Sequence, residues 1–142
     1  YTMRSLRPGD RTDAAELADL INAAFGHHFA AEDLLNFERS PSFDAHLMIV
    51  VVAPDGTMAA HAGVTIDTVN LLAIVEPVCT HPDHRRLGLA SATILAGLRR
   101  SIPRGATEAT IGAGLGAPSN IVYERIGFTE SVDVRAWRKP VG

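Results

Sequence analysis

From Leu71 to Val75 the chain is continuously apolar, and from Leu87 to Leu98 its apolar residues recur at helical spacing, with Leu87, Ile94, Leu95 and Leu98 on one side. That switch predicts a buried strand, a loop and a helix in direct succession. Pro77 and Pro82 cannot donate ladder hydrogen bonds, so strand pairing is expected to weaken where the loop begins. The helix is predicted to start near Arg86 to Gly88, which places Gly88 and Ala90 in a first turn short of side chains. A helix N-terminus carries unpaired amides and about half a positive charge, so it attracts phosphate. Gly88 admits an anion close to the backbone, and Arg85 and Arg86 add fixed charge able to hold phosphate in bidentate fashion. The chemistry points to a pyrophosphate; an ordinary strand-loop-helix connection with solvated arginines is the competing reading.

Two motifs break this tie. Arg85-Arg86-Leu87-Gly88-Leu89-Ala90 resembles the Arg/Gln-x-x-Gly-x-Gly/Ala signature of the GNAT superfamily of acetyl-coenzyme A-dependent N-acetyltransferases, and it follows a strand as it does there. Further on, Pro118 to Phe128 is similar to the second GNAT motif, a short helix carrying Tyr-x-x-x-Gly-Phe, here Tyr123 to Phe128. The resemblance runs over essentially the whole chain. It implies a central mixed, mostly antiparallel sheet with two splayed parallel strands and helices on both faces, an α/β fold.

At 142 residues the chain reads as one domain, 1–142, large enough for a core without metal or disulfide staples. A formal charge of -3 and the lack of a basic block leave out the footprint of a nucleic-acid binder. Cys79 is the single cysteine, which rules out an internal disulfide and suits a reducing compartment. The longest apolar run, Leu47 to Ala53, is far below the ~18 residues of a membrane span, and no export leader is evident, so the reading is cytoplasmic. A start at Tyr1 suggests trimming or excision from something longer.

Taken in order, Thr2 to Arg7 is expected to form a strand closed by Pro8-Gly9-Asp10. A helix follows, capped by Asp13 with Glu16 three residues on, presenting Leu17, Leu20, Ile21 and Ala24, and stopped by Gly26. Ala30 to Arg39 reads as a second, less regular helix ended by Pro41. Ala45 to Val52 and the alternating segment from Met58 form a hairpin about the turn Ala53 to Gly56. In that alternation Met58, Ala60, Ala62, Val64 and Ile66 face one way, and Ala59, His61, Gly63, Thr65 and Asp67 the other. Asp67 to Asn70 then turns into the strand at Leu71. After the Leu87 helix, Pro103-Arg104-Gly105 precedes a strand from Ala106 to Ile111, predicted to lie parallel to the earlier one. Gly112, Gly114 and Gly116 read as a flexible loop. Thr129 to Lys139 is expected to supply the closing strand or strands, with Trp137 packed on the sheet.

Acetyl transfer to an amine needs a held thioester, a neutral amine, support for the oxyanion and a proton for the leaving thiolate. The resemblance assigns pyrophosphate to the amides from Arg86 to Ala90, and the pantetheine arm to strand backbone at Val78 and Thr80. Glu76, a carboxylate in an apolar strand, is the candidate base; a structural carboxylate is the alternative. Tyr123 is the candidate acid, against a tyrosine merely packed on its ring face. Asn120 either touches the cofactor arm or caps its helix, while Gly116 stands where many GNAT helices carry asparagine. Phe25, His28 and Phe29, with His27 and Phe37 beside them, are implied to border the acceptor site, and His61 faces either the acceptor or the sheet. His81 and His84 have no partner set for a metal, so none is expected. The resemblance implies an N-acetyltransferase using acetyl-coenzyme A on a small-molecule or peptide amine, without metal. A non-catalytic acyl-coenzyme A sensor or docking module is the competing reading. Exposed sheet edges allow a homodimer.

Overall fold

The computed structural model describes residues 1–141, and its centre is a five-stranded sheet in the order β1-β2-β3-β4-β5. The strands are β1 (Thr2–Ser5), β2 (Met48–Val52), β3 (Met58–Asp67), β4 (Leu72–Thr80) and β5 (Glu108–Ile111); the helices are α1 (Arg11–Phe25), α2 (Ala31–Phe37), α3 (Leu89–Ser101) and α4 (Ser119–Arg125). β1 to β4 pair antiparallel. β5, reached through α3, pairs parallel with β4 from Leu72↔Glu108 to Val75↔Ile111, as the intervening helix predicts.

Two clusters cover the two faces. Leu17, Leu20 and Ile21 of α1 pack with Met48, Val50, Met58 and Cys79 on one side. Ile94 of α3 packs with Ala62, Val64, Ala73 and Val75 on the other, where Tyr123 and Phe128 join the rim. Each fully buried aliphatic side chain contributes about 1.5–3 kcal/mol, so the helical stripe of α1 is what holds that helix to the sheet. Met58 lies with the α1 cluster rather than beside Ala62 and Val64. The register slips between Val51↔Ala60 and Val52↔Met58, so Ala59 is an extra residue and the alternation changes phase there.

Two further expectations need correction, and one is sharpened. The cap of α1 is Asp10, whose carboxylate accepts from the amides of Thr12 and Asp13. Asp13 is instead fully buried inside the helix and held by Arg4 and Arg7. The weakening of pairing expected around Pro77 falls on one edge: β4 continues to Thr80 alongside β3, and its pairing with β5 stops at Val75. Residues 129–141 form no strand, and Trp137 is 89% exposed rather than packed on the sheet. Val132 and Val134 alternate, but the chain there pairs with neither outer strand of the sheet, and without a ladder partner a strand gains nothing over solvated chain.

Candidate active site

The site begins where β4 departs from regular pairing. Ala62 is opposite Val78 and Val64 opposite Val75, so Gly63 alone faces Glu76 and Pro77. This is a β-bulge, two residues against one, which bends the strand and turns a side chain to a new direction. The bulge follows directly on the last residue paired with β5, Val75. From Glu76 to Thr80 β4 therefore keeps one hydrogen-bonding edge on β3 and presents the other, unpaired, to the gap left by β5. Glu76 is exposed in that gap, while Val78 is partly buried against the α3-side cluster.

Beyond Thr80 a short 3-10 turn, Pro82–His84, leads into Arg85, Arg86 and the cap residue of α3, Gly88. Arg86 and Gly88 both have left-handed backbone, φ 62° and 75°. At Gly88 this excludes most side chains at no cost to glycine, and a Cβ placed there would have nothing within 4 Å. No side chain caps α3, so its first amides are open. Arg85 and Arg86 are exposed and make no ion pair or side-chain hydrogen bond among the described residues. An uncapped helix end, open space before it and two uncommitted guanidinium groups form a cradle that fits a pyrophosphate.

Tyr123 comes from α4 on the α3 side, half-buried, its ring 6.1 Å from that of Phe128. Val75 packs into the α3-side cluster, while Glu76, the first residue of the bulge, is exposed. Tyr123 thus packs on the α3 side of the sheet, and Glu76 stands at the bulge where β5 releases β4. Asn120 donates to the carbonyl of Gly114 at 3.2 Å, which ties the glycine loop to α4.

At the corner between α1 and α2, Asn22 holds Phe29 by both backbone groups, accepting from its amide at 2.7 Å and donating to its carbonyl at 2.9 Å. His27 stacks on Phe29 with ring centroids 6.2 Å apart, and Phe25 lies 5.6 Å from His27. Phe25 and Phe29 are 48% and 42% exposed and His28 is exposed, so the corner presents a fixed aromatic surface.

His61 lies elsewhere. It is 1% exposed under α1, and its Nδ1 donates to the carbonyl of Ile49 at 2.9 Å. Burial pushes its pKa down to about 4, an effect that the bond to Ile49 only partly offsets. The neutral form is the one folded into the core. Because the unfolded imidazole takes up a proton near pH 6.5, stability is expected to fall between that pH and about 4, by about 2 kcal/mol at pH 5. Thermal melts at pH 7 and pH 5 read this directly, and His61→Gln is expected to flatten the difference. Cys79, the cross-strand partner of His61, is pushed up to about 12 by burial and is no nucleophile at neutral pH.

Among the described residues no group of three or more His, Cys, Asp or Glu is placed to hold a metal. A cavity of about 640 Å³ lies beyond the far end of β3, lined by Glu38, Phe43, Asp44, Ile66 and Arg104, and shares no residue with the cradle. Gly63, opposite the bulge, is a residue that sequence reading passes over. Its signal was a glycine inside an otherwise alternating strand, which marks a bulge or a close backbone approach.

The sequence profile of the acetyltransferase (GNAT) family matches residues 14–128. The chain belongs to the GNAT acetyltransferase family. This GNAT protein is accordingly an acyltransferase, and the family's acetyl donor is acetyl-coenzyme A. Solved structures share its fold. The ribosomal-protein-S18-alanine N-acetyltransferase from Escherichia coli superposes with a TM-score of 0.73 at 20% identity, over 92% of this chain and 79% of that one. AAC(6')-Iy, in complex with the bisubstrate analog CoA-S-monomethyl-acetylneamine, gives 0.72 at 20% identity over 99% and 100%. The aminoglycoside antibiotic 6'-N-acetyltransferase AAC(6')-Ih from Acinetobacter baumannii gives 0.70 at 20% over 99% and 100%. No curated protein matches the sequence. No helix of the described residues is long and apolar enough to cross a membrane.

Proposed function

We propose that this GNAT enzyme moves an acetyl group from acetyl-coenzyme A directly to a primary amine of a small molecule or peptide. One observation carries the reading: β5 releases β4 at the bulge, and the freed edge runs straight into an uncapped helix end flanked by Arg85 and Arg86. Acetyl-coenzyme A, when bound, supplies the activated acetyl thioester. The amides from Arg86 to Ala90 hold its pyrophosphate, and the free edge of β4 at Val78 and Thr80 pairs with the amide-bearing arm as an added strand does.

An alkyl ammonium with a pKa near 10.4 is neutral in only about four molecules in ten thousand at pH 7. Glu76, exposed on the acceptor side of the gap, takes that proton, directly or through water. Tyr123, on the donor side, gives a hydrogen bond or proton to the sulfur of the departing thiolate. Asn120 secures the loop that leads to Tyr123. The Phe25, His28 and Phe29 corner borders the acceptor, and the apolar faces there favour amines with a ring or aliphatic body.

The test is thiol release from acetyl-coenzyme A with neamine and with an alanine-led peptide as acceptors, chosen from the chemistry of the structural neighbours. Acceptor-dependent release is expected, and Tyr123→Phe is expected to lower kcat by about 10²-fold with coenzyme A affinity retained. Release that no amine accelerates would contradict the transfer reading.

A further inference from the structure

We propose that Gly63 is a positioning residue for Glu76, present because the bulge needs a site without a side chain beneath it. The inference rests on the reading of Glu76 as the proton acceptor. Gly63 is the one β3 residue that faces both Glu76 and Pro77. A Cβ there would lie 2.8 Å from the Glu76 carbonyl oxygen, 3.2 Å from Met48 Sδ and 3.4 Å from His61 Nε2.

These neighbours differ in how far they can yield. Met48 ends in a flexible thioether and can turn aside. His61 cannot, because its ring is 1% exposed and its Nδ1 is bound to the Ile49 carbonyl. The Glu76 carbonyl is backbone, pinned on either side by the Val64↔Val75 and Ala62↔Val78 pairs. A methyl group at Gly63 is therefore relieved chiefly by pushing the bulge outward. The bulge carries the Glu76 side chain and opens the free edge of β4, so the push moves the carboxylate relative to the acetyl-bearing arm. The phosphate cradle, beyond His81 and on α3, is not part of this movement.

The experiment compares Gly63→Ala, Glu76→Gln, the two combined, and Leu17→Ala, which loosens the α1 side of the core as a stability control. Rates are read as thiol release from acetyl-coenzyme A with neamine and, without acceptor, as the slower loss of the thioester to water. Gly63→Ala is expected to lower kcat about 10²-fold, the scale of a misplacement near 1 Å, with KM for acetyl-coenzyme A within about threefold of wild type. Leu17→Ala is expected to lower the melting temperature and leave kcat unchanged. Since Gly63 acts through Glu76, the combined variant is expected to be no slower than Glu76→Gln alone, the signature of residues working as one unit.

If Glu76→Gln is slow while Gly63→Ala keeps wild-type kcat, or if the two losses multiply, the inference is overturned and the role of Glu76 stands. If Glu76→Gln is fully active, the role of Glu76 itself falls. Should Gly63→Ala not fold, Gly63→Ala with Met48→Ala gives the methyl room away from the carbonyl, and it is read against Met48→Ala with the same outcomes.

Discussion

Asp13→Ala is expected to lower folding stability by about 3 kcal/mol, the scale of breaking a buried ion pair by removing one partner. The Asp13 carboxylate has no exposure and receives hydrogen bonds from Arg4 at 2.7 and 2.8 Å and from the Arg7 amide at 2.9 Å, besides the Arg7 guanidinium. Arg4 sits on β1 and Arg7 in the turn that follows, so this carboxylate ties the first strand to α1. Alanine leaves the partly buried Arg4 guanidinium without its acceptor and adds a small cavity. Urea unfolding followed by circular dichroism measures the loss, and a change below about 1 kcal/mol, typical of a surface pair, would show that the pair is not buried in solution.

The same group sets the acid limit of the fold. Burial acts to raise the Asp13 carboxyl, but the bonds from Arg4 and Arg7 outweigh it and hold the pKa well below the usual carboxylate range. A folded pKa below the unfolded value means stability that is complete above about pH 4 and lost as pH falls further toward the folded pKa. This window lies below that of His61, so acidification is expected to weaken the protein first through the buried imidazole and only later through Asp13.

Glu76→Gln is expected to lower kcat by about 10²- to 10⁴-fold at pH 7, the range of a lost general base, with acetyl-coenzyme A affinity little changed. The amide is nearly isosteric, and Glu76 is exposed with no side-chain hydrogen bond among the described residues, so folding should be unaffected. The defect should shrink as pH rises toward the ammonium pKa, because the neutral amine then no longer depends on a base. Initial rates from pH 7 to 9.5 with neamine measure this. A variant as fast as wild type at pH 7 would remove Glu76 from the chemistry.

The strand-loop-helix core of the site was legible because two periods meet there, continuous apolar residues to Val75 and then helical spacing through Ile94 and Leu98. Leu87, read as part of that stripe, lies before α3 and is 55% exposed. Local chemistry also marked Gly26 and Gly88, both left-handed at helix ends. What was not legible depended on contacts made at a distance. Asp10 and Asp13 are equally good caps by local pattern, and only Arg4 and Arg7, placed by the β1 strand, decide that Asp13 goes inside. The bulges at Ala59 and at Glu76-Pro77 shift register without altering composition, so simple alternation puts Met58 on the wrong face and sets Gly63 apart only as a glycine within a strand. His61 read equally well toward an acceptor or the sheet, and the carbonyl of Ile49 on the neighbouring strand holds it inside. Val132 and Val134 have the alternation of a strand, yet pairing depends on an edge that the local sequence does not specify.

The central claim is that the end of β4 and the start of α3 form a coenzyme A cradle, and calorimetric titration tests it most directly. Acetyl-coenzyme A, coenzyme A and ATP are titrated into wild type and Gly88→Asp, whose folding is checked by melting temperature. Aspartate there both strains a left-handed residue and sets a negative charge against the phosphates. Both coenzyme A forms are expected to bind wild type more tightly than ATP, and Gly88→Asp to bind them at least about 10²-fold more weakly, a difference near 3 kcal/mol. Wild type that binds neither form, or a folded Gly88→Asp that binds as tightly as wild type, would contradict the cradle and the transfer built on it.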